Sequence, residues 1–381
     1  MWLSILTIVL FFSYTGLILY YQSGWNRQRS FNSDIKPTAE NLFFSIIIPA
    51  RNEENHIANC LRSIIHQQYS GEFEIIVVDD FSTDRTCDII RQLNHPSVKL
   101  IQLKDHFTEE GRIRAHKKTA IALAVNQAKG DWIITTDADC VAPPNWLQCY
   151  ASFIRARKVS FIAAPVDFLP VKPPLLSVFQ SLDFMSLQGI SAAAASYRSH
   201  VLCNGANMAY KKKTFVALGG YEGIDQLPTG DDMLLMQKFY RAVPQEVYYM
   251  LLKDAIIKTY PADSWKGFLN QRIRWASKAD QYGDPMIFFV LLLVYLFNLS
   301  FLALALWTIY DPPYIWLLIC LLVCKTLLEL YFLIPVARFF GKLHQLWWFP
   351  IAQPFHILYT IVSGFLGKFG SYQWKGRIIT K

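Results

Sequence analysis

Long apolar stretches lie towards both ends of the chain, and shorter apolar runs alternate with polar ones between them. Residues 2–21 contain no charged side chain, and a helix needs roughly 20 such residues to cross ~30 Å of hydrocarbon. Residues 286–309 and 314–336 are two further apolar stretches, separated by a turn at 311–313 that contains two prolines. The pattern predicts one membrane helix before, and two after, a central region of different character.

Between about residues 43 and 282, apolar runs alternate with stretches of helical spacing. Four short runs have the composition of buried strands, namely FFSIIIPA, FEIIVVDD, VKLIQL and DWIITTDAD. Between the first two runs, apolar residues recur at helical spacing at positions 57, 61, 64 and 65, and the helical stretch TDRTCDIIRQL begins with polar capping residues. The alternation predicts an α/β fold with a doubly wound, mostly parallel sheet.

The patterns divide the chain into five segments. They are a transmembrane helix at 1–22, a linker at 23–42, a cytoplasmic α/β domain at 43–282, a membrane region of two to three helices at 283–369, and a basic cytoplasmic tail at 370–381. A cleaved signal peptide is the alternative for the first segment, but it lacks a basic leading region and an A-x-A site. Arg27 and Arg29 follow that segment directly and favour the cytoplasm for the central domain.

Two features of the last membrane region can each be interpreted in two ways. Pro350 and Pro354 interrupt residues 346–367, which form either a third, kinked crossing or an element at the membrane interface. We expect the interfacial form and a cytoplasmic C-terminus, because a crossing would place the basic tail outside. Lys325 and Glu329 are spaced as a pair within one helix, and such a pair inside a membrane span is either structural or functional.

Composition narrows the class of partner. Apolar residues make up 53% of the chain, and the net charge of +8 favours anionic partners such as nucleic acid, lipid headgroups or phosphorylated substrates. The basic residues are dispersed without a nucleic-acid-binding motif, so we expect no nucleic-acid partner. The predicted membrane segments are few and are not arranged as repeated sets, which disfavours a transporter. The seven cysteines have no zinc-site spacing and suit small buried residues in a reducing compartment.

Carboxylates follow two of the predicted strands. Asp79 and Asp80 end the second run, where ligands bind in an open α/β sheet, and they either accept from uracil N3–H or a ribose hydroxyl or merely cap the next helix. Asp137 and Asp139 end the fourth run, and alternate side chains of an extended strand point to the same side. Two such carboxylates form a partial shell for Mg²⁺ or Mn²⁺, which the phosphates of a donor can complete.

Six motifs occur in a fixed order, namely SIIIPARNEE, IIVVDDFSTD, AHKKTAIALA, GDWIITTDAD, TGDDMLL and QRIRW. From about residue 44 to 278 this order resembles the family 2 glycosyltransferases, and most of all the membrane-integrated branch with cellulose, chitin and hyaluronan synthases and ceramide glucosyltransferase. The resemblance implies a GT-A-like fold, an inverting transfer from a UDP-sugar, and Mg²⁺ or Mn²⁺ as cofactor. The GDD motif is closer to the hyaluronan and chitin type than to the TED of cellulose synthases.

The resemblance also implies roles for individual residues. The nucleotide-sugar pocket would include Pro49, Ala50, Glu53, Asp79, Asp80, Lys117, Asp137 and Arg274. The metal would be held by Asp139 and Asp137, and the general base would be Asp232. The acceptor side would include Asn207, Gly220, Asp231, Gln271, Arg272 and Trp275. The chain departs from the family at His116, where a glycine is usual.

The implied chemistry is coherent. Asp232 would take the proton of the attacking acceptor hydroxyl, and Arg272 or Arg274 would add positive charge beside the leaving diphosphate. Trp275 offers a flat apolar face to a sugar ring or lipid headgroup. The tail SYQWKGRIITK resembles the Trp-x-x-Arg tails of the same branch, which would fold over the nucleotide; a tail bound to anionic lipid is the alternative.

Two functions within this family stay open. One adds a single sugar to a membrane lipid, and the other extends a polysaccharide of the hyaluronan, chitin or poly-N-acetylglucosamine type. A processive synthase usually needs enough membrane helices to line a channel for its product, so the small number here favours a lipid acceptor, or a polymer exported with partner subunits. We expect a multi-pass protein of the inner, cytoplasmic membrane with its catalytic domain on the cytoplasmic face.

Overall fold

The chain forms two compact units in a computed structural model. The structure describes residues 2–28, 42–107, 110, 113–171, 174–199, 202–227, 229–278, 284–370, 372–374 and 377–379. One unit, here the sheet unit, comprises Arg29–Leu169 and Leu202–Tyr260. The other, here the helical unit, comprises Met1–Gln28, Pro170–Val201 and Pro261–Lys381.

A mostly parallel sheet forms the centre of the sheet unit. Its described strands are β1 (Phe44–Ala50), β2 (Phe73–Asp79), β3 (Val98–Gln102), β4 (Trp132–Thr135), β5 (Phe161–Ala163), β7 (Met208–Lys211) and β8 (Val247–Tyr249), in the order β3-β2-β1-β4-β7-β5-β8. Strand β7 alone among these runs antiparallel to its neighbours. A separate parallel pair joins β6 (Val166–Phe168) and β9 (Ile257–Thr259). The predicted mostly parallel α/β fold is therefore confirmed.

Helices cover this sheet and bury its aliphatic strands. They are α2 (Ile57–Ile65), α3 (Thr86–Leu93), α4 (His116–Gln127), α5 (Trp146–Ala156), α7 (Lys212–Ala217) and α8 (Met233–Ala242). Ile46, Ile47 and Ile48 of β1 have no exposed surface, as expected for a parallel strand that is covered on both faces. The carboxyl ends of β1, β2 and β4 therefore share one edge of a rigid sheet.

The helical unit contains the apolar ends of the chain. Its described helices are α1 (Trp2–Arg27), α6 (Pro174–Ser196), α9 (Trp265–Ala276), α10 (Pro285–Trp307), α11 (Tyr314–Phe340) and α12 (Phe349–Phe369), with a 3₁₀ helix at Leu343–Trp348. A short antiparallel pair, β10 (Tyr372–Trp374) and β11 (Arg377–Ile379), follows. Within the described residues, four helical stretches are long and apolar enough to cross a membrane: Trp2–Arg27, Pro285–Trp307, Tyr314–Phe340 and Leu343–Phe369.

Helices α6 and α9 belong to the helical unit, although the sequence pattern placed both inside the central domain. Close packing explains the position of α6. Gly24 of α1 lies so near α6 that a Cβ atom there would come within 2.5 Å of the Ala193 carbonyl oxygen. The apolar residues of α6 are buried against membrane-type helices, a contact that strand and helix periodicity cannot predict.

A buried polar cluster joins three apolar helices of this unit. Lys325 Nζ on α11 donates to Glu329 Oε1 at 2.6 Å and to Gln353 Oε1 of α12 at 2.9 Å. Tyr14 of α1 donates its hydroxyl to the same Glu329 oxygen at 2.5 Å. An unpaired charge within hydrocarbon is costly, and paired groups of this kind face the interior of a helix bundle. Lys325 and Glu329 therefore pair within α11 and also connect this helix to α1 and α12, which is a structural role.

Candidate active site

The first carboxylate of the candidate site, that of Asp79, lies at the end of a strand. Asp79 is the last residue of β2 and lies opposite Ala50, the last residue of β1. Its carboxylate is 1% exposed and accepts from the backbone N–H of Ser82 at 3.3 and 3.4 Å. Asp79 thus stabilises the turn after its strand. The next helix begins only at Thr86 and has no side-chain cap, so Asp79 does not take the helix-capping role that the sequence left as an alternative to a nucleoside contact.

Asp80 has side-chain partners of its own. His116 Nδ1, at the start of α4, lies 2.6 Å from Asp80 Oδ1, and both residues are buried. Arg51 Nη1 donates to the Asp80 backbone carbonyl at 3.0 Å and lies 3.9 Å from Oδ1. Arg51 is in turn held by Glu110 at 2.7 Å. His116, which stands where the family usually has a glycine, is therefore in direct contact with Asp80, the carboxylate predicted to bind the nucleobase.

The other residues predicted at the end of β1 form the wall beside this carboxylate. Pro49 is half-buried and Ala50 is buried. The Glu53 backbone N–H donates to Thr86 Oγ1 at 2.8 Å, and the Glu53 carbonyl accepts from the first turn of α2. The backbone of Glu53 therefore connects β1 to both α2 and α3.

Lys117 lies at the centre of a carboxylate cluster. Its Nζ is 2.8 Å from Asp137 Oδ1 and 3.0 Å from Asp231 Oδ2. Burial opposes the charged form, but the carboxylates of Asp137 and Asp231 outweigh it and raise the pKa of Lys117 above its ordinary value. The ammonium therefore stays charged and links the end of β4 to the loop before α8.

Asp232, the predicted general base, begins α8. Its Oδ1 accepts from the Met233 backbone N–H at 2.7 Å, and its Oδ2 accepts from the Gly205 N–H at 3.2 Å. The side chain is half-buried, so solvent reaches the residue. Two backbone donors hold the carboxylate in one orientation.

Gly205 fills the narrow space between these groups. A Cβ atom at this position would lie 3.0 Å from Asp231 Oδ2 and 3.2 Å from Lys117 Nζ. The Gly205 carbonyl also accepts from Thr135 Oγ1 of β4 at 2.9 Å. Gly205 carries no chemical group that a sequence pattern could single out, because its function is to leave space.

Asp137 and Asp139 lie beyond the end of their strand. Strand β4 ends at Thr135, and the Cys140 N–H bonds the Asp137 carbonyl at 3.1 Å to close a turn. This corrects the expectation that an extended strand continues through both aspartates. Both side chains are half-buried, and they bring two carboxylates to the same short turn.

The chemistry of this turn suits a hard cation. Carboxylate oxygens are the ligands that Mg²⁺ and Mn²⁺ prefer. Burial, followed by the charges of Asp139 and Asp137, raises the pKa of the neighbouring Cys140 thiol well above its ordinary value. The thiol therefore stays protonated and does not compete as a soft ligand. Among the described residues no group of three or more His, Cys, Asp or Glu side chains forms a metal site, so the two aspartates would need oxygen ligands from a bound donor.

Asn207 is a framework residue. Its side chain is completely buried, and its Oδ1 accepts from Trp146 Nε1 at 2.9 Å and from the Tyr150 hydroxyl at 2.8 Å. Its Nδ2 donates to the carbonyls of Pro165 at 2.7 Å and Ala255 at 2.8 Å. All four hydrogen-bonding positions of the amide are used by the protein, which corrects the expectation that this side chain faces an acceptor.

Gly220 lies in a loop that two lysines hold. Its φ of +52° is in the left-handed region, where glycine is favoured. Lys238 Nζ donates to the Gly220 carbonyl at 2.7 Å, and Lys118 Nζ donates to the carbonyls of Ile224 at 2.6 Å and Leu227 at 2.9 Å. Neither lysine was predicted from the sequence, because no pattern around Lys118 or Lys238 separates a loop clamp from a ligand.

The Q-R-x-R-W residues lie on α9 in the helical unit. Arg272 is buried, with Nε 2.7 Å from Asp183 Oδ2 of α6, and its guanidinium lies between the rings of Phe268 and Trp275 at 4.5 and 4.2 Å. Its Nη1 donates to Gln271 Oε1 at 2.6 Å. This corrects the expectation of Arg272 as an acceptor or diphosphate ligand, because an Arg–Asp pair and two rings already enclose it.

The remaining motif residues on α9 are more accessible. Gln271, Arg274 and Trp275 are half-buried. The hydroxyl of Tyr359 on α12 donates to Asp183 Oδ1, so the Arg272 pair connects α6, α9 and α12. The arrangement orients Trp275 and Gln271 through Arg272.

The structure brings together a subset of the predicted residues. Within the sheet unit, the contacts described above connect the residues at the ends of β1, β2 and β4 with the start of α4 and the start of α8. They are Ala50, Asp79 and Asp80 on one side, and Lys117, Asp137, Asp231 and Asp232 on the other. The α9 residues form their own cluster in the helical unit.

Comparison with known proteins finds similar sequences and a similar fold. The family profile Glycosyltransferase like family 2 matches residues 41–278. The chain is 25% identical over 281 residues to the probable glycosyltransferase YdaM of Bacillus subtilis, covering 70% of this chain and 64% of that protein. It is also 25% identical over 246 residues to an N-acetylglucosaminyltransferase of Rhizobium meliloti, covering 61% and 54%. The chain thus spans less than two thirds of the length of these relatives.

The fold is similar to that of a solved glycosyltransferase structure. The mannosyltransferase PcManGT of Pyrobaculum calidifontis, solved with GDP-Man and Mn²⁺, superimposes with a TM-score of 0.58 at 20% identity. The match covers 93% of this chain and 99% of that one. The likeness supports the GT-A-like fold class.

The framework role of Asn207 predicts a loss of stability. Asn207→Ala would leave Trp146 Nε1, the Tyr150 hydroxyl and the Ala255 carbonyl without this partner, whereas the Pro165 carbonyl still accepts from the Ile257 N–H at 3.2 Å. The free energy of unfolding should fall by at least roughly 3 kcal/mol, since each buried unpaired group costs about 1–3 kcal/mol. Thermal or denaturant unfolding of the purified protein measures it. The control is Asn204→Ala, which removes a single acceptor for the Ala206 N–H. If Asn207→Ala folded normally and only weakened acceptor binding, the framework role would be wrong.

Proposed function

The chain belongs to the glycosyltransferase-like family 2, and from this premise we propose that it transfers a sugar from a UDP-sugar to a membrane lipid, with inversion and with a divalent metal. The cluster around Lys117 is the observation that carries the proposal. It connects a carboxylate of the Asp-x-Asp turn with the two carboxylates that precede α8. Donor-side and acceptor-side residues of the family motif are thereby neighbours in one unit.

The donor side would include both carboxylate pairs. Asp79 and Asp80 lie at the carboxyl end of β2, where an open α/β sheet binds nucleotides. Asp137 and Asp139 would hold Mg²⁺ or Mn²⁺, which when bound supplies positive charge to the diphosphate of the donor. Lys117 would add a fixed ammonium beside the same group.

Asp232 would act on the acceptor. Its carboxylate is fixed by the N–H groups of Met233 and Gly205 and stays accessible to solvent. An inverting displacement needs a base within hydrogen-bond reach of the attacking hydroxyl. Asp232 would take that proton as the hydroxyl oxygen bonds to the anomeric carbon and the nucleoside diphosphate leaves.

Contacts within the helical unit support a topology with three crossings. A hairpin of α10 and α11 returns the chain to the side on which α10 begins. Helix α12 follows α11 after a short 3₁₀ helix, and at its far end a Cβ atom on Gly367 would lie 2.7 Å from Ala276 Cβ, just before α10. The far end of α12 therefore lies near the side on which α10 begins, the side to which α11 has returned the chain. This favours a segment 343–369 that enters the membrane and returns over one that makes a fourth crossing.

Charge assigns that side to the cytoplasm. Arg27 ends α1, Arg338 lies in the last turn of α11, and Lys342 and His344 follow α11, as the positive-inside rule favours. If α12 returns, the basic tail lies on the cytoplasmic side as well. The protein would then lie in the inner membrane of the cell. Three crossings among the described helices are few for a polysaccharide channel, which supports a lipid acceptor over a growing polymer.

Removing the proposed base should separate chemistry from donor binding. Asp232→Asn keeps the shape and should cut turnover by roughly 10²–10⁴-fold, the range for a lost general base. Donor affinity should stay within about threefold, because Asp137 and Lys117 remain. UDP release measures turnover, and calorimetry with UDP measures donor binding. Collapse of donor affinity with turnover preserved at saturation would make Asp232 a donor ligand.

The metal should be required for transfer. EDTA should abolish UDP release, and Mg²⁺ or Mn²⁺ should restore it. Asp139→Asn removes one charged ligand without changing its size and should leave less than roughly 1% of activity, comparable to the loss of several kcal/mol of charge stabilisation. The exposed Asp88→Asn, on α3, serves as a control for loss of a carboxylate. Full activity in EDTA would remove the metal from the proposal.

The position of the C-terminus tests the topology. In intact cells, a cysteine at position 380 should react with an impermeant thiol reagent only after permeabilisation. A cysteine at Asp311, in the exposed turn between α10 and α11, is the matched control and should react from outside. Protein without either added cysteine measures the background of the native thiols. Labelling of position 380 in intact cells would mean that α12 crosses.

A further inference from the structure

Phe81, the residue after Asp80, has an unfavourable backbone conformation. Its φ of +54° lies in the left-handed region, which glycine and asparagine adopt readily and bulky side chains rarely adopt. Asn52, in the neighbouring loop, has a similar φ of +52° but is a residue type that tolerates it. Bulky residues persist in this region only where the surrounding structure enforces it, and they cluster at active sites and ligand clamps.

Hydrogen bonds to the residues after Phe81 enforce this conformation. The Ser82 N–H donates to the Asp79 carboxylate at 3.3 Å, and Ser82 Oγ accepts from the Asn52 N–H at 3.0 Å. Asn52 Oδ1 in turn accepts from the Thr83 N–H at 2.8 Å. The loops after β1 and β2 therefore fix the turn together, and their hydrogen bonds maintain the strain at Phe81.

The same conformation brings the Phe81 ring to the side of the Asp80 carboxylate. In an extended strand, adjacent side chains point to opposite sides, and a residue in the left-handed region breaks that alternation. His116 contacts both groups. Its Nδ1 lies 2.6 Å from Asp80 Oδ1, and its ring centroid lies 6.3 Å from that of Phe81. The ring and the carboxylate are thus neighbours just beyond the carboxyl end of β2.

At least one face of the Phe81 ring is left uncovered by His116. The two rings meet at an interplanar angle of 80°, and rings at nearly a right angle touch edge to face, so they do not stack. Phe81 is also only half-buried, whereas Asp80 and His116 are buried. Binding sites for planar ligands combine such aromatic surfaces with a few polar groups. A nucleobase stacks on an aromatic face whatever its own hydrogen-bonding pattern.

We propose that Phe81 is the stacking surface for the nucleobase of the donor, and that the strained turn holds its ring in that position. The inference rests on the proposed function, because it takes the carboxyl end of β2 as the nucleotide site. It gives a binding role to a residue that the sequence motifs left without one. The contact requires only a flat ring, so it is independent of the hydrogen bonds that Asp80 makes.

Phe81→Gly separates the ring from the backbone conformation. Glycine adopts a positive φ without strain, so the midpoint of thermal unfolding without nucleotide should not fall. Calorimetry of the full-length protein in detergent, with UDP and Mg²⁺, should show an affinity reduced by roughly tenfold, the loss expected for one base–aromatic stack. The stoichiometry of binding in the same titration reports the folded fraction, so the affinity is measured independently of any unfolding.

Two variants that keep a bulky side chain on the strained backbone test the ring itself. Phe81→Tyr retains the aromatic face and should bind UDP as tightly as wild type. Phe81→Leu retains apolar bulk without an aromatic face and should bind UDP roughly fivefold more weakly, the part of an aromatic contact that exceeds its buried area. UDP binding by Phe81→Leu as tight as that of wild type would overturn the stacking role, and so would a loss in Phe81→Tyr as large as that in Phe81→Gly.

Phe73→Leu is the matched control. Phe73 is a half-buried phenylalanine at the amino end of the same strand, β2, about 20 Å from its carboxyl end at 3.3 Å per residue. The same change of side chain there should leave the affinity for UDP unchanged. An equal loss of affinity in Phe73→Leu and Phe81→Leu would mean a general effect on the sheet and would overturn the inference.

The outcomes separate this inference from the proposed function. Wild-type protein that binds no UDP would overturn the function, and the inference with it. Protein that binds UDP equally well as wild type and as Phe81→Gly would overturn the inference alone and leave the function standing.

Discussion

The ammonium of Lys117 between carboxylates of two separate chain segments is the interaction on which the candidate site depends. Asp137 follows β4 and Asp231 precedes α8, and Lys117 lies within 3.0 Å of both. Without a cation between them, like charges at this distance would repel and disfavour ionisation. The lysine thus sets a positive charge between carboxylates in a partly buried space, an arrangement that suits both metal binding and base catalysis.

A rigid framework keeps that electrostatic arrangement in place. Asn207 joins α5 to two loops with four hydrogen bonds, and Gly205, two residues earlier, leaves the space in which Lys117 and Asp231 meet. The neighbouring loop is clamped through its carbonyls by Lys118 and Lys238. Residues that face the carboxylate cluster and residues that support the fold are therefore close together in the sequence. Lys117 contacts the carboxylates, for example, whereas Lys118 clamps a loop.

Polar contacts also organise the helical unit, where the hydrophobic effect provides little specificity between apolar helices. Glu329 accepts from Tyr14 and Lys325, and the Arg272–Asp183 pair connects α9 to α6. Such pairs fix which helix faces which, because leaving any one member unpaired in an apolar interior is costly. The Q-R-x-R-W helix is positioned by this kind of contact.

Local pattern determined much about this protein without its coordinates. Strand and helix periodicity predicted the α/β sheet and the apolar helices, and the motif order indicated the family, because both are encoded over short stretches. Only the tertiary structure showed that Asn207 and Arg272 are enclosed by the protein, that β4 ends before Asp137, and that His116 meets Asp80. These contacts join residues 36 to 89 positions apart in the chain. Residue type does not specify a partner at that separation; the packing of whole helices and strands brings such groups together.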